Sequence, residues 1–287
     1  MNQETKFVYD NGARSVTFES GADFWITELS GMSQNEVAIS ETQGAGQIGA
    51  TMSNQSIKSR TVTVNGFLRG NVPENRRALL ACILPGVMAR LIIYQNGQHL
   101  YLEGAPSKTP EISAGEVLQE FQFAFRCPYP YWRTVKEMTA QIAGLTALFQ
   151  FPFYTGGTWK LSQYSESFYT NVPNSGNVPV EIDVLFQAMS DVTNPELYHM
   201  GTGGYLKVNR VLLAGESFRI STVYGRKGAT LIHADSTEEN GFCFLDVGSD
   251  LNLVLQPGDN VVRYQADSNR EGLRVTITAP EGVFSGV

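Results

Sequence analysis

The stretch Glu120-Phe121-Gln122-Phe123-Ala124-Phe125 sets an aromatic ring at every second position. Successive side chains of a strand point to opposite faces, so this segment gathers its phenylalanines on one side of a half-buried antiparallel strand. The same period recurs in Ser15-Val16-Thr17-Phe18, Glu36-Val37-Ala38-Ile39, Arg60-Thr61-Val62-Thr63-Val64 and Leu273-Arg274-Val275-Thr276-Ile277-Thr278. Turn signals fall between these runs: Asp10-Asn11-Gly12, Asn65-Gly66, Asn96-Gly97 and Pro257-Gly258. Short strands punctuated in this way predict a mainly β chain built as sandwiches or barrels.

With 287 residues the chain has the length of two domains. The segment Cys127-Pro128-Tyr129-Pro130-Tyr131-Trp132 places two prolines where a ladder would need amide donors, which predicts a boundary near Val135 and domains over 1–135 and 136–287. One helix is predicted in the first half. Asn71 precedes Pro73 and Glu74, the apolar residues Leu79, Cys82 and Ile83 follow with helical spacing, and Pro85-Gly86 ends the run. Arg76 and Arg77 lie in its first two turns, where the helix dipole disfavours cations, so an acidic partner from elsewhere is expected. Thr134-Val135-Lys136-Glu137 reads as a capping box, yet Met138, Ala140 and Ile142 alternate, leaving a short helix and a strand both open.

Composition narrows function. The chain is 42% hydrophobic and 17% charged, enough apolar mass for real cores. Twenty-one basic against 28 acidic residues give a net charge of −7, the wrong sign for coating a phosphate backbone. The most apolar run, from Ala78 to Ala89, is interrupted by Pro85-Gly86 and falls short of a membrane span. Met1-Asn2-Gln3-Glu4-Thr5-Lys6 lacks the basic start and apolar centre of a secretory signal, so the chain is expected to be made and kept in a cytosol. Cys82, Cys127 and Cys243 stand far apart in apolar company and read as buried thiols.

Gly44-Ala45-Gly46-Gln47-Ile48-Gly49 spells GxGxxG. A dinucleotide site also needs a helix after the glycines and an acid about 20 residues on. Here Thr51 to Ser59 lack helical periodicity and no Asp or Glu falls between Glu41 and Glu74, so the segment reads as a loop. His99, His199 and His233 have no second ligand at metal spacing, and neither a GxSxG elbow nor a phosphate-cradling GxxxxGK[ST] occurs. Glu238-Glu239 beside Asn240-Gly241 reads as a solvated turn rather than a glycosidase pair. No catalytic residue, cofactor site or metal site is assigned. Trp159, Tyr164, Phe168 and Tyr169 form an aromatic segment that would serve as a glycan or partner platform, or pack onto its own domain or a neighbouring subunit.

Further signatures follow one another in a fixed order along the chain. Phe24-Trp25-Ile26-Thr27-Glu28-Leu29-Ser30-Gly31 leads into Glu36-Val37-Ala38-Ile39, the glycine-rich segment and Arg60-Thr61-Val62-Thr63-Val64-Asn65-Gly66. Gly115-Glu116-Val117-Leu118, Phe121-Gln122-Phe123 and Pro128-Tyr129-Pro130-Tyr131-Trp132 follow. The second half adds Asn174-Ser175-Gly176-Asn177-Val178-Pro179-Val180, Gly215-Glu216-Ser217-Phe218-Arg219-Ile220-Ser221-Thr222 and Leu255-Gln256-Pro257-Gly258-Asp259-Asn260. In this order and at this spacing the signatures resemble the distal tail proteins of long-tailed siphophages and related prophages. Tyr129, where that family commonly has an acid, and Asp259, where it often has an uncharged residue, depart from the pattern.

The resemblance implies a tube-type β-sandwich with one helix, followed by a galectin-like jelly roll similar to carbohydrate-binding modules. It implies a structural, non-enzymatic hub: a homohexameric ring at the virion tail tip, assembled in the host bacterial cytoplasm. Such a ring joins the tail tube protein to a baseplate, a tail-associated lysin or a fibre, and DNA passes its lumen without specific binding. A carbohydrate-binding adhesin and a glycoside hydrolase are the competing functions. Within the ring reading, Gln43 to Arg60 is expected to be a long loop that reaches the neighbouring subunit through Gly44, Gly46, Ile48, Gly49, Met52 and Ile57.

Overall fold

The computed structural model describes residues 6–95, 97–115, 117–142, 145–147, 162–164 and 168–287. It is mainly β, and its strands form two compact units: Met1–Lys136 with Val283–Val287, and Glu137–Gly282. Residues 283–287 thus belong with the first unit, not with the second as the sequence division at 135/136 had them. Val283–Phe284 pairs with Trp132–Thr134, and Phe284 and Val287 pack on the first unit's core.

In the first unit the strands run in the order Ser15–Phe18, Lys6–Asp10, Ala89–Gln95, Gln98–Pro106, Gln119–Cys127, Arg60–Leu68, Phe24–Ser30. The middle junction is short: Phe125 pairs with Pro106 and Arg126 with Ala105, so the sheet turns over there and encloses a core. The alternation decides what fills it. Phe121, Phe123 and Phe125 all point inward and meet Phe18 and Tyr9 edge-on or tilted, with centroids 5.7 to 6.1 Å apart. The helix, Val72–Cys82, lays Leu79 and Cys82 on this core, and Ile83 closes it. Arg76 donates to the side-chain amide of Gln119 at 3.0 Å instead of the expected acid, and Arg77 is exposed without an ion pair among the described residues.

Asn65-Gly66 is not a turn. It lies inside Arg60–Leu68, where a Cβ on Gly66 would stand 2.3 Å from the Trp25 carbonyl oxygen and 2.6 Å from the Phe121 ring. Glycine is required here by close approach beside the Ile26/Glu28 bulge, not by a reversal of the chain.

In the second unit a six-stranded sheet runs Glu137–Ile142, Leu273–Pro280, Asp183–Ala188, Ser217–Ser221, Gly228–Ile232, Glu238–Asn240. A four-stranded sheet runs Tyr169–Asn171, Val261–Gln265, Glu196–His199, Tyr205–Lys207. Val184, Phe186, Phe218, Ile220, Val275 and Ile277 turn inward from the first, and Leu197, Leu206, Val262 and Tyr264 from the second, as in a sandwich. Glu137–Ile142 is a strand, so the alternation of Met138, Ala140 and Ile142 prevails over the capping box. Glu238-Glu239 is an edge strand, not a turn. Cys82 and Cys127 are buried and burial pushes their thiols up to about 11 and about 12, whereas Cys243 is exposed on the short turn Phe242–Phe244.

One side chain ties the first unit together. Arg60 is 4% exposed, and no carboxylate is among its hydrogen-bond partners. Its Nε donates to the Pro130 carbonyl at 2.5 Å, and Nη1 donates to the carbonyls of Gly31, at 2.8 Å, and Met32. Nη2 donates to Asn35 Oδ1 at 2.6 Å and to the Ser285 carbonyl. Desolvation pulls the guanidinium's pKa down from its ordinary value. Arg60→Met keeps the length of the stem but leaves these acceptors without a donor. It is expected to destabilise the first unit by about 3 kcal/mol or more in urea unfolding, and a loss below about 1 kcal/mol would contradict the clamp.

Candidate functional site

The segment between Ser30 and Arg60 leaves the main sheet as a separate two-stranded hairpin, Val37–Thr42 against Thr51–Ile57. The expected long loop is therefore a loop only over 43–50. Thr51–Ile57 is a strand, hidden from a periodicity reading because five of its seven residues are Thr, Ser, Asn or Gln.

The tip holds itself. Gln47 Oε1 accepts from the Gly44 amide at 2.9 Å, the Gln47 amide donates to the Gly44 carbonyl at 3.1 Å, and Gln47 Nε2 donates to Thr51 Oγ1 at 2.9 Å. Gly46 and Gly49 take φ of 78° and 80°, the left-handed region that side chains avoid. Ile48 sits fully exposed at the apex.

Register defines two faces. Val37 lies opposite Ile57 and Ile39 opposite Gln55, and residues directly opposite share a face. The bulge after Ser40 skips Ser53, which brings Met52 opposite Glu41 and onto the side of Val37 and Ile39. Val37, Ile39, Met52 and Ile57 are each between 44% and 54% exposed. The other face carries Ala38, Ser40, Thr42, Asn54 and Ser56. Glu36-Val37-Ala38-Ile39 is thus a strand as its alternation predicts, but its apolar face is not buried within the described chain. Val37 and Ile39, absent from the sequence-based residue set, belong with Met52 and Ile57. The signal was present in Val-x-Ile before the glycines and Ile57 after them.

Of the aromatic segment, the structure describes the side chains of Phe168 and Tyr169. Phe168 packs on Tyr264 at 5.9 Å and lies under the Arg270 guanidinium at 3.4 Å, whereas Tyr169 is half exposed on Tyr169–Asn171. Trp159 and the Tyr164 side chain lie outside the described residues.

The conspicuous polar clusters are structural. Asn174 and Gly258 exchange backbone hydrogen bonds at 2.8 and 2.9 Å, joining two of the sequence signatures. Asn260 Nδ2 donates to the carbonyls of Val172, Gln256 and Gly258. The Thr202 amide donates to His199 Nδ1 at 3.0 Å, which leaves Nε2 to donate to Asn260 Oδ1, also at 3.0 Å. Among the described residues, no group of three or more His, Cys, Asp or Glu side chains is placed to hold a metal, and no helix is long and apolar enough to cross a membrane.

His233 bridges two carboxylates, Glu216 through Nδ1 at 3.0 Å and Glu239 through Nε2 at 3.3 Å. Buried Glu216 also accepts from the Leu213 amide and faces Arg210 at 3.3 Å. The hydrogen bond to Glu216, reinforced by Glu239, raises the His233 pKa. Burial pushes the Glu216 carboxyl up, but the Leu213 amide, His233 and Arg210 together bring it below its ordinary value. A raised histidine pKa stabilises the fold fully below about 6.5 and loses that contribution as pH climbs through the folded-state value. The melting temperature of the second unit should therefore fall as pH rises from about 6.5, and His233→Gln should flatten that slope; an unchanged slope in the variant would contradict the bridge.

No protein family matches the sequence, and no curated protein matches it. Solved structures do. SPP1 Dit (gp 19.1), described as a paradigm of the hub adsorption apparatus in phages infecting Gram-positive bacteria, aligns with a TM-score of 0.68 at 13% identity, over 96% of this chain and 98% of that one. This chain has the Dit fold. A chain of the phage p2 baseplate in its activated conformation aligns with a TM-score of 0.51 at 11% identity, over 96% of this chain and 97% of that one. The match to Dit runs through both units, so the correspondence is end to end rather than confined to one sandwich.

Proposed function

We propose that this chain is a distal tail protein, a structural hub that closes a homohexameric ring at the tip of a long non-contractile phage tail. The observation that carries the reading is a Dit fold over nearly the whole chain. The hairpin supports the ring. An isolated two-stranded hairpin is marginal in water, and this one keeps four half-exposed apolar side chains on one face. Covering the exposed half of each would return about 1 kcal/mol apiece. A closed ring repeats that gain at every interface.

In this reading the chain's partners are its own copies, the tail tube protein and a tail-associated lysin or fibre protein. It resides at the virion tail tip after assembly in the host bacterial cytoplasm. The net charge of −7 suits a lumen through which DNA slides without adhering. The function needs surfaces rather than a catalytic constellation, and the polar clusters of the second unit are engaged in holding loops. Light scattering coupled to size exclusion is expected to give six times the chain mass of 31.6 kDa. A monomer at every concentration tested would contradict the ring.

A carbohydrate-binding role is the second reading. It is favoured by a hollow of about 410 Å³ on the outer face of the six-stranded sheet, lined by Arg219, Ser221, Thr230, Thr276 and Thr278. Because aromatic stacking surfaces are missing from that hollow, calorimetry with host-wall oligosaccharides should detect nothing tighter than millimolar. Tighter binding that is lost in Arg219→Ala would favour the adhesin over the hub.

A further inference from the structure

A ring closed head to tail needs two different surfaces on each copy, one to reach and one to receive. The hairpin is the first. The second must be apolar, exposed, in the same unit and away from the hairpin in the sheet. The turn after the helix meets these conditions: Leu84, Val87 and Met88 are between 38% and 59% exposed, and Gly86, at φ of 75°, turns the chain so that Val87 N–H reaches the Leu84 carbonyl. This turn enters Ala89–Gln95, which lies three strands across the sheet from Arg60–Leu68, the strand that follows the hairpin.

A second turn frames the same surface. Asn11 Nδ2 donates to the Cys82 carbonyl at 2.8 Å, and Cys82 Sγ donates to the Arg14 carbonyl at 3.6 Å, so 11–14 abuts the helix end. Between the two turns lies a hollow of about 380 Å³, bordered by Asp10, Asn11, Gly12, Met88, Arg90 and Glu103, the last two paired to each other at 2.9 Å. It is large enough for an aliphatic side chain. One pair of opposite charges is also available. Glu41 stands on the apolar face of the hairpin and Arg14 beside the hollow; both are exposed, and neither side chain has a hydrogen bond or ion pair among the described residues.

We propose that the hairpin face of one copy, Val37, Ile39, Met52 and Ile57, seats on Leu84, Val87 and Met88 of the next, with Glu41 of the first meeting Arg14 of the second. The contact is heterologous, so each copy donates one hairpin and receives one. This assignment rests on the ring reading and adds the receiving surface to it.

Mixing two defective chains tests it. Ile39→Asp with Met52→Asp disables the hairpin, and Val87→Asp with Met88→Asp disables the receiver. All four positions are exposed, so both chains should keep the wild-type β spectrum. Each alone is expected to stay monomeric in size exclusion with light scattering. An equimolar mixture retains one intact hairpin and one intact receiver, and should give a species of twice the 31.6 kDa chain mass and nothing larger. A receiver variant that still closes rings would overturn the receiving surface while leaving the hub intact, and so would a mixture that stays monomeric. A wild-type chain that never assembles would overturn the ring itself. Charge reversal adds an independent arm that tests the ion pair without burying a new charge. Glu41→Arg and Arg14→Glu should each raise the concentration for half-assembly several-fold, and the double reversal should restore it. Failure to restore would remove the Glu41–Arg14 contact from the proposal.

Discussion

Arg60 is the constraint on which the first unit depends. A buried guanidinium without a carboxylate partner is costly unless its donors are engaged, and here every nitrogen has an acceptor. Those acceptors come from the chain entering the hairpin (Gly31, Met32 and Asn35), the boundary segment (Pro130) and the returning segment (Ser285). Arg60 itself opens the strand that leaves the hairpin. One side chain therefore fixes the hairpin root from both sides and pins it to two segments distant in sequence. Trp132 reinforces the junction by donating from Nε1 to the Met32 carbonyl at 3.0 Å. An arm that must project from a sheet needs a rigid root, and a planar fork with five donors supplies one more firmly than a flexible ammonium would.

How much of this was legible in sequence follows from where each residue's partners are. Phe121, Phe123 and Phe125 find their neighbours on the same sheet or across one core, so period-two alternation exposes them directly. The helix was legible for a similar reason, through Pro73 and the spacing of Leu79, Cys82 and Ile83. Arg60 was not, because four of its five acceptors are main-chain carbonyls at sequence separations of up to 225 residues, and a carbonyl leaves no residue-type signal. Gly66 misled because a glycine forced by the Trp25 carbonyl and the Phe121 ring spells the same letters as a turn glycine. Likewise, the expected acid for Arg76 was replaced by Gln119, an amide that no charge count would nominate.

The candidate site was half legible. Met52 and Ile57 stood out as apolar residues in a polar stretch, but the strand that carries them did not. Most of its polar residues lie on one side of a hairpin over which the described residues place no second layer. Alternation reveals a strand when its apolar face is complete, and this face is completed only when Val37 and Ile39 are paired with it. The sequence signatures of the second half, Asn174 with Gly258 and Asn260 with His199, prove to be loop clamps. They specify a sandwich and leave the proposed hub function to its surfaces.

The central claim is that a hairpin rooted by Arg60 is uncovered in the single chain and covered on assembly. Amide hydrogen exchange across a dilution series reads this directly. Protection over 37–57 should rise together with protection over 84–90 as the protein passes from monomer to assembly, while the inner strands around Phe123 stay protected throughout. Equal exchange of the hairpin in the dilute and the assembled protein would contradict the account.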